Sequence, residues 1–310
     1  MNIITLTLNP AIDVHCKSET FTPFAENLFD VVSNDAGGKG INISRALNVF
    51  GTKNTAVVVV GTDNGDDFLG KLRDEGIQYK EIKVPGRIRE NITLHTKNQK
   101  ETRISFSGFS SDNSLIDKVS ELLANESLSE SIITVTGRLP EGVDIGYVKD
   151  FIKTLKKKGA KIVIDSRSFK KEDIIECAPW LIKPNEEEIK MYTDIPVDGV
   201  EGAQKAAEAL RAQGIENVMI SLGGEGAVLS TDEGTFYATA PKIDVVSTIG
   251  AGDSSIAGFI AKFSENASFE DALKNAVSYG SAACCVEGTQ APKLTDIEKF
   301  YNEIKVKKEL

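Results

Sequence analysis

Short β-branched runs alternate with segments of helical periodicity along most of the 310 residues, and this alternation admits few architectures. Runs at Ile3–Leu8, Thr55–Val60, Ile132–Thr136, Lys161–Asp165, Trp180–Lys183 and Val218–Leu222 read as strands. The stretches between them carry apolar residues at helical spacing: Ile41–Phe50, Asp66–Glu75, Leu115–Ala124, Tyr147–Lys157 and Ala203–Gln213. Such strand–helix–strand passages are βαβ units, which build an α/β fold around a mainly parallel sheet. A sheet of this kind places its ligands at the carboxyl ends of the strands. The last third reads as helical, at Ser254–Phe263, Phe269–Cys285 and Thr295–Ile304.

Two regions break the rhythm, Asp13–Ser33 and Asn91–Ser107. In the second, Ile92-Thr-Leu-His-Thr-Lys and Thr102-Arg-Ile-Ser-Phe flank a polar Asn98-Gln-Lys turn, which reads as a hairpin. Extra strands inserted into an α/β unit often form a lid over the site. With no repeat, low-complexity tract or long linker, the expectation is a single domain over 1–310, its lid built from about 12–34 and 88–108.

Composition narrows the function classes. A net charge of -10 argues against a nucleic-acid or anionic-membrane surface, which would need a basic patch. An anionic small substrate stays compatible if Lys and Arg gather locally. The four cysteines form no C-x-x-C pair and suggest no disulfide framework. Only two histidines occur, His15 and His95, too few for a His-rich zinc site and ill-suited to a Ser-His-Asp triad. The opening segment Met1–Leu8 lacks a basic n-region and is too short for a signal core, and Ala56–Val60 cannot span a bilayer. A cytoplasmic protein is expected.

The stretch Asp244–Gly258 carries the most chemistry. An apolar β-branched run stops at Gly250-Ala251-Gly252, and a helix pattern begins at Asp253. Glycines there let successive N–H groups converge on one point ahead of a helix, whose N-terminus bears partial positive charge. The result is an anion hole beside a carboxylate. Asp253 can also be read as an ordinary acidic residue of a first turn, and Ile256, Phe259, Ile260 and Phe263 behind it are core packing.

Other motifs carry the same double reading. Ala36-Gly37-Gly38-Lys39-Gly40-Ile-Asn42 opens a helix but is not a Walker A loop, since Ser33 replaces the first glycine and Gly40 follows the lysine. Nor is it G-x-G-x-x-G. It is either a flexible loop or a close passage past a polar ligand that Lys39 and Asn42 reach. Arg87, Arg89, Arg103 and Arg138 are either solvated or a set of planar forks for a phosphate. Lys183-Pro-Asn185-Glu-Glu-Glu188 is either an Asn-capped turn or, through Asn185 and Glu188, the surroundings of a hydrated Mg²⁺. Ser221-Leu-Gly223-Gly-Glu225-Gly226-Ala is either a hairpin turn or a bare backbone open to a nucleotide.

In this order the motifs resemble the ribokinase-like (PfkB) carbohydrate kinases nearly end to end. Asn9-Pro-Ala-Ile-Asp13, the Gly37–Asn42 loop, Ala178-Pro-Trp-Leu-Ile-Lys-Pro-Asn185 and Thr248-Ile-Gly-Ala-Gly-Asp253 are similar to the subgroup acting on ketohexose phosphates. The resemblance implies a three-layer α/β/α fold, a small β lid that often mediates homodimers, and Mg-ATP as donor. It further implies Asp253 as catalytic base, with Gly250, Ala251 and Gly252 as anion hole. Asp13 and Asn42 would contact sugar hydroxyls, and Lys39 and Arg89 the existing phosphate, with Gly37, Gly38, Asn91, Arg103 and Arg138 alongside. Lys183, Asn185, Ser221, Gly223, Glu225, Gly226 and Gly252 fall on the ATP side, and Glu188 holds the metal through water.

Arg87–Ile92 and Ser105–Gly108 lie nearer the members that phosphorylate fructose 1-phosphate, whose usual T-R-I-N-V is changed here at Ile88 and Glu90. Arg138 replaces the serine of S-G-S-L-P, so Glu90 and Arg138 either compensate each other or mark another sugar. The expected reaction is ATP-dependent conversion of fructose 1-phosphate to the 1,6-bisphosphate, with tagatose 6-phosphate as alternative acceptor. A non-catalytic sugar-phosphate sensor and a nicotinamide oxidoreductase are the rivals from other classes.

Overall fold

A computed structural model describes residues 1–97 and 101–309. Its strands are β1 (Ile3–Thr7), β2 (Ala11–Ser18), β3 (Asp30–Gly37), β4 (Thr55–Gly61), β5 (Tyr79–Val84), β6 (Arg89–Thr96) and β7 (Thr102–Ser105). They continue as β8 (Ile132–Thr136), β9 (Lys161–Asp165), β10 (Leu181–Ile182), β11 (Asn217–Ser221), β12 (Gly226–Thr231), β13 (Gly234–Thr239) and β14 (Val306–Glu309). The helices are α1 (Lys39–Val49), α2 (Gly65–Asp74), α3 (Ser114–Leu123), α4 (Ile145–Lys157) and α5 (Lys171–Cys177). After these come α6 (Gly199–Arg211), α7 (Ala251–Ser264), α8 (Phe269–Ala283) and α9 (Leu294–Glu303).

The ten-stranded sheet runs β14-β13-β12-β11-β10-β9-β8-β1-β4-β5. From β5 through β11 every pairing is parallel, and β12, β13 and β14 extend the sheet antiparallel. Strand β1 has β4 on one side and β8 on the other, so the chain order reverses at β1 and opens a crevice at its carboxyl end.

Alternation along the strands builds two cores. Ile4, Ile133, Ile164, Ile182, Val218 and Val228 pack on the face covered by helices α2 to α6. Their neighbours Ile3, Ile132, Val163, Leu181, Met219 and Leu229 pack on the opposite face, with α1, α7, α8 and α9. The period of two thus sorts each strand between two helical layers. Local signals start the helices: Asp144 accepts from the backbone N–H groups of Gly146 and Tyr147 ahead of α4, and Ser268 accepts from that of Asp271 ahead of α8.

A second sheet of four strands has the order β3-β2-β6-β7. Its strands come from the two regions that interrupt the βα rhythm. Strand β2 pairs antiparallel with β3 and parallel with β6, while β6 and β7 form the expected hairpin. The Asn98-Gln-Lys turn of that hairpin lies outside the described residues.

The main departure concerns Asp244–Ile249, where an apolar run reads as a strand approaching the glycine junction. It is a loop, and Val245 and Val246 are exposed. The carbonyl of Cys284 accepts the N–H groups of Val246 and Ser247. Helix α7 starts at Ala251, two residues before the expected Asp253.

Helices α7 and α8 approach closely at Gly258. A methyl there would stand 2.6 Å from the Asn275 carbonyl and 2.8 Å from the Tyr279 ring. The same approach lets buried Asn275 donate to the Gly258 carbonyl at 2.7 Å. Gly258→Ala should destabilise the fold by ~1–3 kcal/mol, the usual cost of overpacking a tight contact. Urea unfolding checks this, and an unchanged midpoint would show that the helices separate freely.

Candidate active site

The platform is the carboxyl edge of the parallel sheet at the β1 crevice. Thr7, Thr136 and Asp165 end β1, β8 and β9 as direct cross-strand partners. They share a sheet face with Ile3, Ile132 and Val163, so they point toward the α1 and α7 layer. Thr7 Oγ1, Thr136 Oγ1 and Asp165 Oδ2 are all buried without a hydrogen-bond partner. Two helices begin at this edge, each behind a glycine in left-handed backbone: Gly38 (φ 126°) before α1 and Gly250 (φ 78°) before α7. Residues with a side chain rarely adopt that geometry.

Asp253, in the first turn of α7, is 6% exposed. Its Oδ2 accepts from Asn42 Nδ2 at 2.8 Å. Burial raises the carboxyl, Lys39 lowers it, Asp165 raises it, and Asn42 and Lys183 lower it; the balance leaves it pushed up to about 6. Lys39 donates to Asp165 Oδ1 at 2.8 Å. Burial lowers its ammonium, but Asp165, Asp253 and Glu188 outweigh that and hold its pKa above the ordinary value. Lys183 is also buried, its Nζ lying 3.0 Å from where a Cβ on Gly252 would stand. Two carboxylates, Asp253 and Asp165, and two ammonium groups, Lys39 and Lys183, are therefore grouped at the edge where α1 and α7 begin.

The N–H groups at the start of α7 have no acceptor within the helix. That of Ala251 makes a long 3.4 Å contact with the Thr248 carbonyl. Gly252 lines the adjoining cleft. An anion approaching from that side meets the positive end of α7 together with the Lys183 ammonium.

On the other side of Asp253 stands the root of the small sheet. Asp13 on β2 and Asn91 on β6 are register partners, and Asn91 Nδ2 donates to Asp13 Oδ1 at 2.7 Å. Arg103, on β7, reaches the same oxygen at 3.6 Å. Gly37 lies so near that a Cβ would fall 2.0 Å from Asp13 Oδ2. Arg89 begins β6 with its Nε buried and unpartnered. Burial lowers its pKa, Asp13 opposes this, and Arg138 and Arg103 lower it further. Arg89 therefore sits among like charges with an unused donor, an environment that suits an anion. Glu90 pairs with Arg87 at 2.6 Å. Glu90 thus pairs within its own segment, while the charge of Arg138 bears on Arg89.

A cleft of about 1020 Å³ extends from Gly252 in the opposite direction. Lys183, Asn185, Ser221, Gly223 and Gly226 line it, together with the apolar Pro241, Ile243 and Val277. Glu225 is turned away: its carboxylate lies against Gly199 at the start of α6, and its carbonyl accepts from Tyr237 and Ala240. Asn185 and Glu188 form a reciprocal cap, Asn185 Oδ1 accepting from the Glu188 backbone at 2.8 Å and Glu188 Oε2 from that of Asn185 at 3.3 Å. The capping reading of that motif is thus realised, with Glu188 Oε1 also held by Arg167 at 3.3 Å.

Among the described residues, no three His, Cys, Asp or Glu side chains converge into a metal cage. A hydrated Mg²⁺ needs fewer protein ligands, because it keeps its waters and binds phosphate oxygens. Asp165 Oδ2, buried and unpartnered, and Glu188 are the hard oxygen donors on offer. Asp165 escaped the motif reading. Its only signal was a carboxylate closing a parallel strand, the place where such sheets bind ligands.

Comparisons with known proteins identify the family. The chain is 34% identical over 285 residues to 1-phosphofructokinase of Escherichia coli K12, covering 91% of this chain and 90% of that one. It is 31% identical over 305 residues to 1-phosphofructokinase of Bacillus subtilis, covering 98% and 99%. The crystal structure of phosphofructokinase-2 from Escherichia coli in complex with potassium superposes with a TM-score of 0.88 at 27% identity, over 97% of this chain and 98% of that one. The model of the pfkB family carbohydrate kinases matches residues 7–296, so the chain belongs to that family.

Proposed function

We propose that this kinase transfers the γ-phosphoryl of Mg-ATP to a ketohexose phosphate, converting fructose 1-phosphate to fructose 1,6-bisphosphate in the cytoplasm. The observation that carries the reading is the position of Asp253. It is a buried carboxylate raised to about 6, hydrogen-bonded to Asn42 and directly following Gly252, which lines the cleft. At neutral pH it is ionised, yet basic enough to take a proton from a hydroxyl. As the acceptor oxygen attacks the γ-phosphorus, its proton passes to Asp253, and the bond to the departing ADP breaks. The α7 N–H groups and Lys183 meet the charge on the transferred group.

Arg89, Arg103 and Arg138 grip the phosphate already on the sugar, and Asp13, Asn91 and Asn42 hold its hydroxyls. Lys39 stands between the two halves. ATP occupies the cleft along Lys183, Asn185, Ser221, Gly223 and Gly226. Mg²⁺, held by Asp165 and Glu188 through water, would neutralise the phosphate oxygens. Residues 1–310 act as one domain whose small sheet closes as a lid over the acceptor. Exposed Val31, Val32 and Ile104 on that sheet support a homodimer through it. The relatives named 1-phosphofructokinase support fructose 1-phosphate as acceptor.

Asp253→Asn should lower kcat by ~10²–10⁴, the size of a general-base contribution, measured as ADP release. Near-normal turnover would remove Asp253 from the role. Offered fructose 1-phosphate and tagatose 6-phosphate in turn, the enzyme should show the higher kcat/KM for the first; the reverse ranking reassigns the acceptor. ATP turnover also separates this reading from a sensor, which binds both ligands without product, and from a nicotinamide enzyme.

The same variant should be the more stable protein at neutral pH. The folded carboxyl titrates near 6, the unfolded one near 3.9. Between those values the unfolded chain has lost its proton and the folded chain has not, so rising pH favours unfolding until both are ionised. Asp253→Asn escapes that loss. Its urea midpoint should match the parent at pH 4 and correspond to roughly 1–3 kcal/mol more stability at pH 8. A parent that is the more stable at pH 8 would contradict the raised titration.

A further inference from the structure

Arg45 is a buried cation that the motif reading passes over. It lies on α1, three residues after Asn42 and on the same helix face. Its guanidinium is almost fully used. Nε and Nη2 make a bidentate pair with Glu75 at 2.5 and 2.9 Å. Nη2 also donates to the Ala36 carbonyl at 2.6 Å, and Nη1 donates to Asn42 Oδ1 at 2.9 Å and to the Thr289 carbonyl at 3.2 Å.

The bond to Asn42 has a consequence for the base. A guanidinium can only donate, and an ionised carboxylate can only accept. Asn42 sits between one of each, taking Arg45 on Oδ1 and giving Nδ2 to Asp253. The reverse orientation would set its amide hydrogens against the guanidinium and its oxygen against the carboxylate. Arg45 thereby decides which way the amide faces. Its other partners extend that hold: Ala36 belongs to β3 at the root of the small sheet. Thr289 packs 3.7 Å from the Cβ position of Gly250, where α7 begins.

We propose that Arg45 is a positioning residue for phosphoryl transfer. It locks the Asn42 amide so that Nδ2 donates to Asp253, and it fixes that pair to the small sheet and to the loop beside Gly250. This rests on the reading of Asp253 as the base. Lysine retains the charge but not the planar fork, so it cannot serve Asn42, Ala36, Thr289 and Glu75 together.

The test is a double-mutant cycle on the full-length enzyme, read as kcat and acceptor KM, with Asp253→Asn assayed in parallel. Arg45→Lys should lower kcat ~10-fold with acceptor KM within ~3-fold, the pattern of an interaction that acts on the transition state. In an Asn42→Ala background the same change should alter kcat less than ~2-fold, because the route through the amide is already gone. A fully active Arg45→Lys, or an undiminished loss in the Asn42→Ala background, overturns the proposal. If Arg45→Lys does not fold, Glu75→Gln decides, since that side chain is 29% exposed and loosens Arg45 from outside. It should lower kcat ~2–5-fold, and only while Asn42 is present. Unchanged kcat there overturns the proposal. Turnover surviving Asp253→Asn removes both the base and its orienter, whereas an inactive Asp253→Asn beside additive Arg45 and Asn42 effects removes the orienter alone.

Discussion

Keeping one carboxylate charged inside the protein is the requirement around which the rest is arranged. Buried without partners, Asp253 would hold its proton at neutral pH and serve no base chemistry. Its neighbours bring its titration back within reach: Lys39 and Asn42 from one helix, and Lys183 from the segment after β10. Asn42 and Asp253 are 211 residues apart in the chain, and Lys183 lies between them. Only the parallel sheet, which delivers the carboxyl ends of β1, β9 and β10 to one edge, brings them together. Three-layer packing is thus a precondition of the electrostatics as well as a way to bury apolar surface.

The same edge separates two kinds of recognition. Toward the cleft, backbone and small residues dominate, which suits a triphosphate that is bound through N–H groups and a helix end. Toward the small sheet, side chains dominate, and they are nearly all charged or amide. Recognition by backbone depends on the fold and tolerates sequence change; recognition by side chains depends on sequence. On the proposed reading, the reaction type is written into the glycines, and the acceptor into Asp13, Arg89, Asn91, Arg103 and Arg138.

Much of this was readable beforehand, for identifiable reasons. Strands buried on both faces are continuous apolar runs, so Ile132–Thr136 and Lys161–Asp165 have the expected bounds. The edge strands β5 and β14, the neighbouring β13 and the short α5 were passed over, because half-exposed or short segments carry little periodicity. Val245 and Val246 have strand composition yet sit exposed in a loop, where the carbonyl at the end of α8 takes the N–H groups of Val246 and Ser247. The glycine junctions were legible because their backbone demands are local. Asp165 and Arg45 were not, since their importance comes entirely from partners far away in the chain. Asn185 and Glu188 show the converse, where a local cap accounts for bonds that a metal reading also anticipated.

The parallel pairing of β2 with β6 sets how this enzyme can diversify. No hairpin turn joins those strands, and Asp13 meets Asn91 only through the register of the ladder. Gaining or losing one residue between Ala11 and Asp13 would turn Asp13 to the opposite face of the sheet and leave Asn91 without its partner. Variation in loop length, the usual raw material of new specificities, is closed off at this end of the pocket. Under the proposed function, acceptor preference in such a lineage has to drift by exchange of side chains at fixed positions, the kind of difference that the resemblance marks at Ile88, Glu90 and Arg138.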